Sequence, residues 1–80
     1  MTREEFIAAL QYHGYEEMPC PPCARKFQLV HNALGLHRTI YSCFESGFIA
    51  TYILHDGTNT NLKGKYDDYR LDNNGYPCHA

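Results

Sequence analysis

The chain has 80 residues, a formal net charge of −2 at pH 7 and 44% hydrophobic residues. These values are typical of one small globular domain and argue against a disordered chain. Its seven lysines and arginines are scattered and form no basic stripe of the kind that strong nucleic-acid binding requires. No segment approaches the roughly 20 apolar residues that span a bilayer. We therefore expect neither a membrane nor a nucleic-acid partner.

The first residues, 1–5, are polar and are not typical of a secretory signal. A cytoplasmic, reducing location is the resulting expectation. In such a compartment the four cysteines favour metal binding or reactive thiols over structural disulfides.

The N-terminal segment carries start and stop signals for a helix. Thr2 followed by Glu5 is a capping box, which predicts a helix over residues 3–13. Gly14 is a plausible left-handed stop. One apolar stripe runs along this helix and consists of Phe6, Ile7, Ala9 and Leu10.

A second helix is predicted to begin at the double proline. Pro22 suits the first helical position, and Gly35 supplies a stop. Apolar residues recur at helical spacing between them, at Cys23, Phe27, Val30 and Leu34. We expect this helix to pack beside the first.

From residue 37 onward the pattern changes to strands. Segments 38–45 and 48–55 are rich in Ile, Tyr, Phe and Thr, and Ser46-Gly47 suits a two-residue hairpin loop. That loop would place Phe44 opposite Ile49 and Tyr41 opposite Tyr52. One face would carry Ile40, Phe44, Ile49 and Ile53, and the other Tyr41, Cys43, Phe48, Tyr52 and Leu54.

The last third predicts one weaker strand over residues 62–71, a turn at Asp72–Gly75 and a short tail over residues 76–80. The expected fold class is therefore α+β. Two N-terminal helices would pack on one face of a small antiparallel meander of two to three strands, in the order ααββ(β). Residues 1–80 would form a single domain.

The most distinctive motif is Cys20-Pro21-Pro22-Cys23, and a structural zinc site is one interpretation of it. Cys20 and Cys23 would supply two ligands, and Cys78 would be a third. Two prolines between the thiols donate no N–H groups to the first thiolate, which argues against this reading. Zinc is the only cofactor that the sequence suggests.

Redox chemistry is the second interpretation. The stretch Cys20-Pro21-Pro22-Cys23-Ala24-Arg25-Lys26-Phe27 resembles the active-site helix start of thioredoxin-like oxidoreductases, over about fifteen residues. The resemblance implies Cys20 as nucleophile and Cys23 as resolving thiol. The chain departs from that family where residues 14–19 replace the buried strand that normally precedes the motif.

The third interpretation is structural, and the sequence favours it. The prolines would turn the chain sharply, Cys23 would pack inward as a small hydrophobic residue, and Cys20 would have no role in chemistry. No spacing of Ser, His and Asp predicts a catalytic site.

The main functional signal in the sequence is the number of aromatic and apolar side chains expected at the surface. Seven tyrosines are many for a small domain, and a hairpin that is apolar on both faces favours a protein partner. The expected partner surface is centred on Tyr41, Phe48, Tyr52 and Leu54. The sequence thus predicts a non-enzymatic adaptor or inhibitor that occludes the surface of another protein or pairs with a second copy. Phage-encoded modulators of host machinery are one class with these features.

Overall fold

The computed structural model describes residues 1–19, 24–31, 37–53 and 57–80. These residues form one helix and seven strands. The elements are α1 (Arg3–Tyr12), β1 (Glu16–Met18), β2 (Arg25–His31), β3 (His37–Cys43), β4 (Phe48–Ile53), β5 (Asn59–Gly64), β6 (Tyr69–Leu71) and β7 (Pro77–His79).

Five of the strands form an antiparallel sheet in the order β1-β2-β3-β4-β5, so each strand pairs with its neighbour in the sequence. Strands β6 and β7 form a separate two-stranded ribbon. The predicted α+β class is therefore wrong, because the described chain is mostly β, with a single short helix and a five-stranded sheet in place of a small meander.

The first helix is confirmed. Thr2 accepts a hydrogen bond from the backbone N–H of Glu5 (3.1 Å), and the Glu5 carboxylate accepts one from the N–H of Thr2 (2.8 Å). The two bonds to Thr2 also lower the pKa of Glu5. Gly14 follows the helix with a φ of +91°, as a left-handed stop requires.

The predicted second helix is wrong over every residue that the structure describes. Arg25–His31 is strand β2, which pairs with the whole of β3 from Arg25↔Cys43 to His31↔His37. Phe27 and Leu29 alternate at strand spacing, and both contact the core. A short apolar run fits either spacing, and hydrogen bonds to β1 on one side and β3 on the other decide for the strand.

The predicted β3–β4 hairpin forms, but its register differs by two residues. Cys43 pairs with Phe48 and Tyr41 with Ala50. The connection has four residues, 44–47, and is closed by a bond from the Phe44 N–H to the Gly47 carbonyl (2.8 Å). Because side chains alternate along a strand, a shift of two residues keeps each strand residue on its predicted face.

The C-terminal third contains three strands where the sequence predicts one. Segment 62–71 divides between β5 and β6, and the tail forms β7. The predicted turn at Asp72–Gly75 is present between β6 and β7. Its backbone bonds run from the Asp72 N–H to the Tyr76 carbonyl (2.8 Å) and from the Gly75 N–H to the Asp72 carbonyl (3.0 Å).

Candidate interaction surface

One face of the five-stranded sheet, the inner face, holds the core. Phe6 of α1 stacks on Phe48 of β4 with ring centroids 4.6 Å apart, and it meets the edge of the Tyr41 ring at 5.7 Å. Ile7 and Leu10 of the helix are buried against the same cluster. The β6–β7 ribbon also packs here, because Tyr69 contacts Phe48 and Tyr76 contacts Tyr52.

The inner face contains three of the four residues that the sequence predicts for partner binding. Tyr41 is 0% exposed and Phe48 2% exposed, and Tyr52 is half-buried beside Tyr76. Leu54 lies outside the described residues. Because α1 covers this face, Tyr41 and Phe48 contact the interior of the chain itself. The candidate binding surface is therefore the opposite side of the sheet.

The other side of the sheet is called the open face here. It consists of the outward side chains of the five strands. They are Glu16, Met18, Lys26, Gln28, Arg38, Ile40, Ser42, Ile49, Thr51, Ile53, Asn59, Asn61 and Lys63. No described element packs on these residues, since α1 and the β6–β7 ribbon both contact the inner face.

The strand register aligns the open face into rows that cross the sheet. One row runs Glu16–Gln28–Ile40–Thr51–Asn61, and the next runs Met18–Lys26–Ser42–Ile49–Lys63. Ile53 lies two residues beyond Thr51 on β4. Side chains directly opposite each other on neighbouring strands have Cβ atoms about 5 Å apart. Ile40, Ile49, Thr51 and Ile53 thus form one apolar and β-branched centre, which is unusual for the uncovered side of an antiparallel sheet.

Positive charges surround that centre. The open face carries three cations, Lys26, Arg38 and Lys63, and one anion, Glu16 at its edge. Within the described residues none of these three cations has a carboxylate partner. The chain as a whole is −2 at pH 7, so the rest of the sequence has a formal charge of −4.

Arg25, on the inner face, differs from the open-face cations because it has a carboxylate partner. Its guanidinium donates two hydrogen bonds to the carboxylate of Glu17, at 2.9 and 2.8 Å. These bonds lower the pKa of Glu17 and raise that of Arg25. Among the described residues, Arg25 is thus paired with a carboxylate, whereas Lys26, Arg38 and Lys63 are not.

An open groove of about 850 Å³ adjoins the open face at Ile49 and Lys63. It lies between the β3–β4 turn and the β6–β7 ribbon, with Phe44 on one wall and Tyr69 stacked on His79 (4.6 Å between ring centroids) on the other. Charges of both signs line the groove, so its electrostatics favour no single ligand class.

The described cysteines are both free thiols. Cys43 is buried on the inner face, and burial raises the pKa of its thiol to about 11, which leaves it a poor nucleophile. Cys78 lies half-buried on β7. Cys20 and Cys23 lie outside the described residues. Within the described ranges no three His, Cys, Asp or Glu side chains form a group that could hold a metal.

The thioredoxin-like resemblance depends on a helix directly after the second cysteine. Ala24 is not helical and Arg25–His31 is a strand. The described residues after the motif therefore contain no helix of the kind that the resemblance implies, and the resemblance does not extend to the fold.

Comparison with known proteins finds no family model, no curated protein and no solved structure that matches this chain. Among the described residues, no helix has the length and apolar character needed to cross a membrane. The candidate surface therefore rests on the geometry and charge of the chain alone.

The isoleucines of the open face are the residues that the sequence-based choice of surface missed. Their alternation with the tyrosines was visible, and it correctly separated the two faces. Which face the helix covers depends on tertiary packing, and the flat rings of Tyr41 and Phe48 fill the space under Phe6. The sequence carried no signal for this choice, because the expected register placed the aromatic Phe44 on the same face as the isoleucines.

Proposed function

We propose that this protein is a non-enzymatic protein-interaction module, an adaptor or inhibitor that binds its partner on the open face. One observation carries the proposal: three of the chain's four isoleucines, Ile40, Ile49 and Ile53, lie on a sheet face that no described element covers. The fourth, Ile7, is 3% exposed under the helix. Contiguous apolar surface of this kind is a common mark of a protein-binding site.

The geometry also supports a rigid binding surface. The apolar centre lies on β3 and β4, the two strands whose inner side chains are the most deeply buried in the core. Fully burying a large aliphatic side chain contributes about 1.5–3 kcal/mol, and the isoleucines here are partly exposed, so a partner would gain a part of that from each. Three isoleucines on one preformed surface can therefore contribute substantially to binding without a change in the fold.

The test compares the wild-type chain with a double variant, Ile49→Thr with Ile53→Thr. Threonine keeps the β-branched shape, so we expect the variant to fold with less than about 1.5 kcal/mol lost. Each protein is used in affinity capture from the cells that make it, and the captured protein is then purified. We expect the purified partner to bind wild type and to lose at least tenfold in affinity with the variant.

Isoleucine δ1-methyl NMR supplies the direct readout. The chain gives four methyl signals, three from the open face and one from the core. The purified partner should shift the signals of Ile40, Ile49 and Ile53 and leave that of Ile7 in place. A matched control, Tyr12→Ser, removes the aromatic side chain on α1 that is 87% exposed and should retain full binding. A partner that binds the double variant as tightly as wild type would overturn the proposal.

We further propose a cytoplasmic location. The support is that Cys43 and Cys78 are both free, as expected in a reducing compartment. The intact mass of the protein as isolated from its cells, under native and denaturing conditions, tests this together with the thiol interpretations. Four free thiols and no bound zinc are the expected result. A mass lower by about two protons per disulfide, or a retained metal ion, would instead favour chemistry at Cys20 and Cys23.

A further inference from the structure

The charge around the open face identifies the kind of partner, given that the proposed function holds. We infer that the partner presents an apolar segment flanked by Asp or Glu carboxylates. The argument rests on the row Met18–Lys26–Ser42–Ile49–Lys63, which places one lysine on each side of the apolar centre.

The spacing of that row gives a geometric criterion. Lys26 on β2 and Lys63 on β5 are three strands apart, so their backbones are separated by about 14 Å. Ile49 lies between them on β4. A partner segment in extended conformation spans this distance in about four residues. Two carboxylates at positions i and i+4 would then reach the two lysines while an apolar side chain at i+2 meets Ile49.

The same charges argue against a second copy as the occupant of the open face. Pairing two open faces would bring six cations together against two carboxylates. A second copy could place its acidic remainder there, yet such a head-to-tail contact gives a ring or an open-ended filament and not a two-fold dimer. A partner with separate acidic residues satisfies all three cations without this difficulty.

Nucleic acid fits the face less well than an acidic protein segment does. Single strands are held by bases stacking on aromatic side chains, and the open face has an aliphatic centre. Three cations also provide only weak attraction to a phosphate backbone.

The experiment is a selection of binders from a displayed library of random 12-residue peptides, performed on the wild-type chain at low salt. Peptides that bind the double variant, Ile49→Thr with Ile53→Thr, more weakly than wild type are kept as open-face binders. We expect these peptides to be enriched in Asp and Glu around an apolar residue relative to the unselected library. Their affinity should fall roughly fivefold on Lys26→Gln with Lys63→Gln, as expected for two exposed ion pairs.

A matched control removes the same charge elsewhere. Arg70 is exposed on the β6–β7 ribbon, so Arg70→Gln, compared with each lysine variant alone, should leave the affinity of the same peptides within about twofold. Raising the salt concentration should weaken binding to wild type and have much less effect on the Lys26 and Lys63 double variant.

The outcomes separate the two proposals. Open-face binders without acidic enrichment, or with no response to the lysine substitutions, would leave the proposed function standing and overturn the acidic partner. A complete lack of open-face binders would count against the proposed function itself. Two further NMR results would also overturn the acidic partner. One is a concentration-dependent shift of the three open-face methyl signals in the chain alone, which would indicate a second copy. The other is a shift of these signals on adding a 20-nucleotide single-stranded DNA.

Discussion

Two buried hydroxyl groups converge on one backbone carbonyl beneath the helix. Tyr15 and Tyr41 both donate hydrogen bonds to the carbonyl oxygen of Gly75, at 3.1 and 2.9 Å. Both rings are nearly inaccessible, with exposures of 3% and 0%, and burial raises the pKa of each hydroxyl. These two bonds attach the turn between β6 and β7 to the main sheet.

Gly75 itself combines a left-handed backbone with little space for a side chain. Its φ is +81°, and a Cβ atom there would lie 3.2 Å from Cε1 of Tyr15 and 3.5 Å from Cβ of His13. A left-handed conformation costs an alanine about 1–2 kcal/mol, and crowding adds to that. We expect Gly75→Ala to lower the free energy of unfolding by about 2–3 kcal/mol in chemical denaturation.

Gly57→Ala is the control for that prediction. Gly57 has a φ of +87°, but a Cβ atom there would meet none of the described residues within 4 Å. It should therefore lose only about 1 kcal/mol from backbone strain. Equal losses at the two positions would show that the contacts of Gly75 with Tyr15 and His13 contribute nothing.

Among the elements, the β3–β4 hairpin determines how the open face is arranged, because it contributes all three of the isoleucines there, each partly exposed. Its turn is supported from outside the hairpin. The Tyr66 hydroxyl lies within hydrogen-bond distance of the carbonyl oxygens of Phe44 and Gly47, the latter at 2.9 Å. The Tyr66 ring also meets the edge of Phe6 at 5.3 Å, so this one side chain links the turn to α1.

Removing that hydroxyl should loosen the turn while leaving the core packed. Tyr66→Phe leaves a carbonyl without its donor, and we expect the free energy of unfolding to fall by about 1 kcal/mol. Hydrogen exchange of the Phe44 amide, which closes the turn, should accelerate more than that of amides in the centre of β3.

The matched control is Tyr69→Phe. Its hydroxyl has no hydrogen-bond partner among the described residues, while its ring packs on Phe48 and His79. Stability and Phe44 exchange should stay close to wild type. Unchanged exchange in Tyr66→Phe would mean that the turn is held by its own backbone bond.

At the scale of the whole molecule, a small core encloses several weakly acidic groups. Burial raises the pKa of Cys43 from 9.0 to about 11 and that of Tyr66 from 10.0 to about 12. It shifts the pKa values of Tyr15 and Tyr41 in the same direction. In each case the folded chain keeps a proton that the unfolded chain releases at lower pH.

Stability should therefore decline in alkaline solution. Above about pH 9 the unfolded state binds fewer protons than the folded state, so the free energy of unfolding falls as pH rises to about 12, by up to about 1.4 kcal/mol per pH unit for each group. Denaturation midpoints between pH 7 and 11 measure this. Tyr41→Phe should flatten the decline, whereas Tyr12→Phe, at an exposed position, should not. A constant midpoint up to pH 11 would contradict the expected linkage.

Local signals in the sequence were sufficient for some elements and insufficient for others. The capping box, the stripe of α1 and the Asp72–Gly75 turn depend on neighbouring residues, and the structure confirms them. Segment 25–31 has apolar residues at both helical and strand spacing, so its state depends on whether strands lie beside it. The hairpin register was missed for a related reason, because a four-residue turn closed by Tyr66 competes with the tight Ser46-Gly47 loop.

The alternation of residue types along the strands was enough to predict which side chains share a face. Alternation along β3 and β4 separated Tyr41, Cys43 and Phe48 from Ile40 and Ile49, and a register shift of two residues could not change that separation. Which of the two faces is covered depends on tertiary packing. Helix α1 can pack on one side of the sheet at a time, and the rings of the inner face stack against Phe6. The aliphatic face, bordered by lysines three strands apart, is consequently the one left for a partner.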